Sequence, residues 1–423
     1  MRFETLAQWL EWQTTFHSRA IDLGLERVHQ VWNALAAPRL APIVITVAGT
    51  NGKGSTVAML EAILLAAGYR VGAFTSPHLL HYNERIRVQG APVTDAQICA
   101  AFERIDTARG ETSLTYFEFG TLAAFEIFQQ SPLDVAILEV GLGGRLDAVN
   151  IIDSDVAVVT TIALDHMDWL GSTREAIATE KLAIGRAGRP LVLGDAQPPA
   201  NVDAVAARHG AHLRRIGRDF SYKRDGDSWV WANEQSTRHA LPYPSLRGIF
   251  QLANAACAIE ALSQLAQQLP VSQNDLRRGL LDASVTGRFQ VIPGKPIRVL
   301  DVAHNPESAQ SLAGNLERFE PMMTKIAVLG MLKDKDMLGV ITPLKGSFDR
   351  WFVGGISAER GASAATLHAV LIAANVSADR IDLSETIDEA YQKACEFLQE
   401  GVIVVFGSFY TVAQALTRIQ GGT

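Results

Sequence analysis

The sequence predicts an α/β protein of two unequal domains, each a mostly parallel sheet wrapped by helices. Short apolar runs alternate with helical patterns from residue 43 to about 195, and the alternation restarts after residue 296. Between them, residues 286–296 carry Gly287, Pro293, Gly294 and Pro296, the composition of a break. A chain of 423 residues also exceeds one ordinary core. The expected division is a domain at 1–286, a linker at 287–296 and a smaller domain at 297–423.

The first strand is the apolar run 43–48. It leads into GTNGKGST at 49–56 and a helical stretch at 57–67. Strand, glycine-rich turn and helix make a phosphate cradle: Gly49, Gly52 and Gly54 allow close backbone approach, the helix start offers unpaired N–H groups, and Lys53 adds a full charge. The ligand this implies is a nucleoside triphosphate. Val47 stands where the general phosphate loop has its first glycine, and Gly54 separates Lys53 from Ser55 and Thr56, so an ordinary glycine-rich βα turn remains the rival reading. Further strands are expected at 70–75, 134–140, 155–161 and 190–193. Residues 195–245 look polar and irregular, and 248–282 helical, with IFQLANAACAIEALSQL apolar at helical spacing. The second domain's strands are expected at 297–302, 325–330, 350–354 and 401–406.

A net charge of −7 and a pI near 5.8 give no electrostatic case for a nucleic-acid partner. Cys99, Cys257 and Cys395 have neither disulfide nor metal-ligand spacing, which suits a reducing compartment. No segment reads as a signal peptide or membrane span, so the expected location is the cytoplasm.

In an open parallel sheet ligands bind beyond the carboxyl ends of the strands. Beyond the first domain's strands lie the loop at 49–56, Ser76 with Pro77 and His78, Glu139 with GLGGRLD at 141–147, and LDHMD at 164–168. Glu139 ends a buried run, where a carboxylate commonly holds magnesium; pairing with Arg145 or with a helix start is the alternative. Ser76 is either an oxygen ligand or a turn residue. His166 is equally a ligand or a hydrogen-bonded core histidine. Lys181 reads as a surface lysine, and YNERIR at 82–87 as a charged lid or a solvated loop. In the second domain DVAHNP at 301–306 and GSFY at 407–410 follow strands, where a second substrate could enter.

Taken together the motifs resemble the Mur ligase-like folylpolyglutamate synthase family, including its bifunctional bacterial members, over nearly the whole chain. The resemblance rests on IDLGLERV (21–28), TVAGTNGKGST (46–56), SPHL (76–79), ERIRVQG (84–90), LTYFEFGTLAAF (114–125), LEVGLGGRLDAVNI (138–151), ALDHMDWLG (163–171), EKLAI (180–184), TGRFQV (286–291), DVAHNP (301–306), GMLKDKD (330–336) and GSFYTVA (407–413). The inserted Gly54 is this family's own pattern.

The resemblance implies a phosphate-loop domain followed by a smaller Rossmann-like domain. It also implies an ATP-dependent ligase that joins L-glutamate to dihydropteroate, and further glutamates to reduced folates, through an acyl phosphate. Gly49, Thr50, Asn51, Gly52, Lys53, Gly54 and Ser55 then hold the phosphates, with Asn254, Arg288 and Asp301 also contacting ATP. Ser76, Glu139 and His166 match ligands of magnesium, expected as two ions, and Lys181 matches a lysine that becomes carbamylated. Asp22, Leu23, Gly24, Thr115, Tyr116, Phe117, Glu118, Leu146, Asp147 and Ala148 match the pterin side, and His304 and Ser408 the glutamate end. A monomer is expected. The alternatives are a monofunctional family member or a related Mur-type amide ligase. The peptidoglycan ligases carry a sugar-nucleotide domain before the phosphate loop, for which the 48 residues ahead of Gly49 are too few. A nucleotide-dependent switch would need a guanine-reading Asn-Lys-x-Asp motif or a partner surface; the sequence lacks the motif, and such a reading leaves the second domain with His304 and Ser408 unexplained.

Overall fold

The computed structural model describes residues 2–35, 39–320 and 322–421. It divides into two compact units: residues up to Ser245 together with Leu252–Ser284, and Leu246–Gln251 together with residues from Val285 onward.

The first unit is built on an eight-stranded sheet. Its spatial order is Ala91–Pro92, Ile86–Val88, Val71–Phe74, Val135–Glu139, Ile43–Ala48, Val156–Val159, Pro190–Leu193 and His212–Arg215. The six strands from Val71–Phe74 onward are parallel, and the first two join antiparallel. Ile43–Ala48 is buried along its whole length, as a strand covered on both faces must be. Its neighbours place Val47 opposite Glu139 and Ala48 opposite Val159, so three loops open side by side at the carboxyl edge. Helices Leu6–Phe16, Asp95–Arg109 and Tyr116–Gln130 bury Trp9, Phe102, Phe119, Phe125 and Phe128 in the unit's core.

Residues 195–245 are more ordered than their polarity suggests. They form helix Val202–Arg208, strand His212–Arg215 and a separate antiparallel sheet of Phe220–Asp225, Ser228–Asn233 and Thr237–Pro242. The strand Phe220–Asp225 buries only Phe220, so no apolar alternation announces it. Trp229 and Trp231, both fully buried, anchor that sheet.

The second unit is a six-stranded sheet in the order Gln290–Ile292, Ile297–Asp301, Val402–Phe406, Lys325–Leu329, Arg350–Gly354 and Ile381–Ser384. All pairings are parallel except the first. The stretch expected as a linker, 287–296, thus contains an edge strand. The short segment Leu246–Gln251 also belongs to this unit, where the Ile249 amide donates to Asn315 Oδ1 at 3.1 Å. Among the described residues no helix is long and apolar enough to cross a membrane.

Candidate active site

Helix Lys53–Ala66 begins four residues earlier than the apolar pattern indicates, directly on the glycine loop. Gly52 sits at its N-cap with φ of 87°, and a Cβ there would fall 2.5 Å from Asn254 Oδ1. Gly49 has φ of 146°, and a Cβ would lie 1.8 Å from Thr160 Oγ1. The loop is pinned from the next strand's end: the Thr50 amide donates to Thr161 O at 2.8 Å, and Thr160 Oγ1 donates to Asn51 O at 2.5 Å. The Thr50 hydroxyl bridges the carbonyl and the amide of Ala163 at 3.1 and 3.0 Å. Lys53 Nζ curls back onto the loop, donating to the carbonyls of Gly49 and Thr50 at 2.9 and 3.2 Å. A cation and the amides of a helix start thereby share one mouth, which suits a phosphate chain.

Three of the sequence-predicted groups converge on this mouth. Glu139 is 2% exposed and accepts the Ser76 amide at 3.0 Å; a Cβ on Gly54 would lie 3.8 Å from its carboxylate, so the absent side chain keeps helix start and carboxylate close. Arg145 is bound to Glu180 instead, at 3.0 Å, which removes the reading that pairs it with Glu139. Lys181 is not a surface residue. It is 4% exposed and its Nζ donates to Gly49 O at 3.1 Å. Burial, then the nearby Lys53 charge, pulls its pKa down to about 7.

Asp147 is buried and accepts the amides of Gly141, Leu142 and Val149 at 3.0, 2.9 and 3.0 Å; burial outweighs them and pushes its pKa up to about 6. His166 occupies the N-cap position of the short helix Met167–Leu170 with φ of 51°, a left-handed conformation uncommon outside glycine, and its side chain makes no capping hydrogen bond there. Its amide donates to Asp165 Oδ1 at 2.9 Å. Among the described residues no group of three or more His, Cys, Asp or Glu is gathered as a metal cage.

The segment 82–87 is neither lid nor free loop. Tyr82–Arg85 is a 3-10 turn and Ile86–Val88 a strand paired with Val71–Phe74, with Arg87 held on Glu61 at 2.7 Å. On the expected pterin side, Arg27 ties Asp22 at 2.8 Å to Glu118 at 2.9 Å, and His17 Nε2 lies 3.2 Å from Asp22. Thr115 and Glu118 form the capping box of Tyr116–Gln130. A Cβ on Gly141 would lie 2.6 Å from the Phe117 ring and 3.3 Å from Asp147 Oδ2, which brings the 115–118 and 146–148 segments together. Tyr116 stands edge-on to Tyr82 at 5.6 Å, Leu146 is half-buried and Ala148 is buried. Leu23 and Gly24 lie on the half-buried stretch after Asp22.

In the second unit Asp301 ends its strand opposite Phe406 and accepts the amides of Phe289 and Ala303 at 2.9 and 2.8 Å. Burial pushes its pKa up to about 6 against the pull of Arg288. The Arg288 guanidinium sits 5.3 Å over the Phe409 ring, and the His304 ring lies 6.4 Å from the same ring. His304 Nδ1 is 2.8 Å from Val302 O. The buried Ser408 hydroxyl accepts the Thr411 amide at 3.0 Å, capping the last helix. Arg288, Asp301, His304 and Ser408 therefore gather at one carboxyl edge.

Sequence reasoning passed over Thr160, Thr161 and Arg27. The two threonines end the strand expected at 155–161 and directly follow the observed strand Val156–Val159, and Arg27 falls inside IDLGLERV, so both carried a usable signal.

The Mur ligase middle domain model matches residues 47–262, and the Mur ligase, glutamate ligase domain model matches 287–409. The chain is 45% identical to the dihydrofolate synthase/folylpolyglutamate synthase of Escherichia coli (strain K12), over 98% of this chain and 95% of that one. It is 32% identical to the folylpolyglutamate synthase of Lacticaseibacillus casei, over 94% of each. Escherichia coli FolC in complex with DHPP and ADP superposes with a TM-score of 0.93 at 43% identity, covering 99% of this chain and 98% of that one. A bifunctional folylpolyglutamate synthase/dihydrofolate synthase with Mn, AMPPNP and L-glutamate bound gives 0.91 at 44% identity with the same coverage.

Proposed function

This chain belongs to the Mur ligase family and, within it, to the dihydrofolate synthase/folylpolyglutamate synthase group, and we propose that it is an ATP-dependent amide ligase acting on two related substrates. It adds L-glutamate to dihydropteroate, forming dihydrofolate, and adds further glutamates to reduced folates. A carboxylate oxygen of the pterin substrate attacks the γ-phosphorus of ATP as the bond to ADP breaks. The amine of glutamate then attacks the acyl carbon, phosphate departs with the bonding electrons, and the nitrogen loses a proton. Little of this needs covalent participation by the protein; positioning and charge stabilisation carry it.

The observation that carries the reading is the loop at 49–55, with Lys53 and Lys181 turned onto its carbonyls and Glu139 at the adjoining strand end. Lys53 and the helix-start amides counter the phosphate charge. Asn254, beside Gly52, borders the nucleotide, and Arg288 and Asp301 contribute to holding it. His304 and Ser408 hold the glutamate. Phe117, Asp147 and Ala148, with Asp22 and Glu118 fixed by Arg27, shape the pterin wall.

The buried Glu139 carboxylate and the Ser76 hydroxyl offer the oxygen atoms a hard divalent cation prefers, with water and phosphate oxygens to complete its shell, whereas the His166 imidazole is the less usual ligand for such an ion. Glu139, Ser76 and His166 are the residues that hold magnesium, as two ions, and bound metal supplies charge neutralisation at the transferring oxygens. Lys181 is chemically suited to carbamylation: a buried amine with a pKa near 7 is substantially neutral at physiological pH, and a neutral amine is what reacts with carbon dioxide. The enzyme acts as a monomer in the cytoplasm.

The test is phosphate release from ATP by the purified chain with L-glutamate and either dihydropteroate or tetrahydrofolate. Stimulation by both is the expected result. Response to tetrahydrofolate alone would reduce the reading to folylpolyglutamate synthesis, and response to neither would remove it.

A further inference from the structure

Two arginines at the start of the strand Ile86–Val88 meet different surroundings. Arg87 is neutralised, its guanidinium reaching Glu61 at 2.7 Å and the Thr75 hydroxyl at 3.0 Å. Arg85 has no such partner. Its Nε donates to His78 Nδ1 at 2.8 Å, and among the described residues no carboxylate pairs with it. The adjacent acid, Glu84, is already engaged, accepting the amides of Leu79, Leu80 and His81 at 2.7, 2.8 and 2.7 Å.

Arg85 is nevertheless held in place. It is half-buried, its guanidinium 5.4 Å from the centre of the Tyr82 ring and 5.6 Å from that of Tyr116, and the two rings stand edge-on at 5.6 Å. Tyr82 makes a fixed floor: it is 4% exposed, and a Cβ on Gly120 would fall 2.5 Å from its hydroxyl oxygen, so that glycine makes the room. Ring faces attract a cation without neutralising it. With Nε engaged by His78, the two terminal nitrogens remain, the end of the fork that grips a carboxylate through two parallel hydrogen bonds.

The position says which carboxylate. The Arg85 carbonyl accepts the Thr75 amide at 2.8 Å, and the next residue, Ser76, donates its amide to Glu139 at 3.0 Å. Tyr116 begins the helix whose next residue, Phe117, lies against Gly141. The cation thus sits where the expected metal ligands and the pterin wall adjoin, and the reacting end of an acceptor must arrive there. On the function proposed above, on which this inference rests, the two acceptors differ at this point. Dihydropteroate ends in one carboxylate, the one that reacts. A folate already bearing glutamate brings two, one that reacts and one that does not. We propose that Arg85 binds the non-reacting carboxylate of the folate's glutamate, and so serves chain extension more than the first glutamylation. A forked grip on the reacting carboxylate would withdraw charge from the oxygen that must attack phosphorus, whereas the idle carboxylate loses nothing.

The test is kcat/KM, from phosphate release with ATP and L-glutamate, for the full-length wild type and the Arg85→Gln and Arg85→Lys variants on dihydropteroate and on tetrahydrofolate. In Arg85→Gln the ratio of the tetrahydrofolate value to the dihydropteroate value falls about ten- to a hundredfold, mostly through the KM for tetrahydrofolate. In Arg85→Lys, which keeps the charge without the fork, it falls less. The wild type loses a similar factor on tetrahydrofolate carrying an amide in place of its non-reacting carboxylate, and Arg85→Gln does not distinguish amide from parent. Two results overturn the proposal: a ratio that stays put in Arg85→Gln, whether both values fall together or neither does, or a wild type that uses the amide as well as the parent. Should Arg85→Gln disturb the tyrosine pair, the amide on the wild type still decides. Turnover of both acceptors by the wild type tests the function itself; the ratio tests Arg85 alone.

Discussion

Around the loop of the first unit the cationic side chains rest on backbone carbonyls, Lys53 on Gly49 and Thr50, and Lys181 on Gly49. At the carboxyl edge of the second unit the polar side chains instead finish the fold: Ser408 caps a helix, Asn305 caps another, and Asp301 closes the turn of Phe289 and Ala303. The difference teaches where chemistry and stability separate. A loop whose charges lean on carbonyls can lose one and keep its shape, whereas an edge built of caps loses structure along with any binding group.

The sharpest way to break this comparison is Glu139→Gln. The amide keeps the shape and can still accept from Ser76, but loses the charge expected to hold magnesium. Turnover falls by about a hundredfold to a thousandfold, with a small change in melting temperature. Near-normal turnover in magnesium buffer would remove Glu139 from the metal set. Ala148→Ile comes next. Ala148 is buried beside the 115–118 helix start, and overpacking there costs about 1–3 kcal/mol. Use of dihydropteroate suffers more than extension of a glutamylated folate, and equal losses in kcat/KM would detach Ala148 from the pterin wall.

The same contrast explains what the sequence revealed. Strands covered on both faces, such as Ile43–Ala48 and Val402–Phe406, are apolar throughout and stand out from single residues. Ile381–Ser384 at the sheet edge and the partly exposed Phe220–Asp225 carry no such pattern, and neither was expected. The site divides similarly. Glycine spacing and strand ends point to Lys53, Glu139 and Asp301, because position after a strand is legible. Burial is not: Lys181 looks like any helix-surface lysine until the fold turns it beneath Gly49, and only the family resemblance singled it out.

Ser408→Ala sharpens the comparison from the other side. Removing the cap of Phe409–Gly421 costs about 1 kcal/mol, so the melting temperature drops as the KM for glutamate rises. A raised KM with unchanged stability would mean that the cap is not structural and would place this edge in the same class as the loop.

The smallest effect at any one pH is a slope, and it has opposite signs for amine and carboxyls. Lys181 is held at about 7 in the folded chain against 10.5 for an ordinary lysine, so between those values the unfolded chain binds more protons and stability rises with pH. Its contribution is complete above the unfolded value and is lost as pH falls through about 7. Asp147 and Asp301 are raised from 3.8 to about 6; the folded chain binds more protons in that window, and their contribution is lost as pH rises through about 6. Urea midpoints measured from about pH 4 to 10 should therefore dip near neutrality. Lys181→Met flattens the alkaline limb and leaves the acid limb, while Asp301→Asn does the reverse in part, Asp147 still titrating. An alkaline limb that survives Lys181→Met would show that the amine is not buried as a neutral group, and the case for its carbamylation would fall with it.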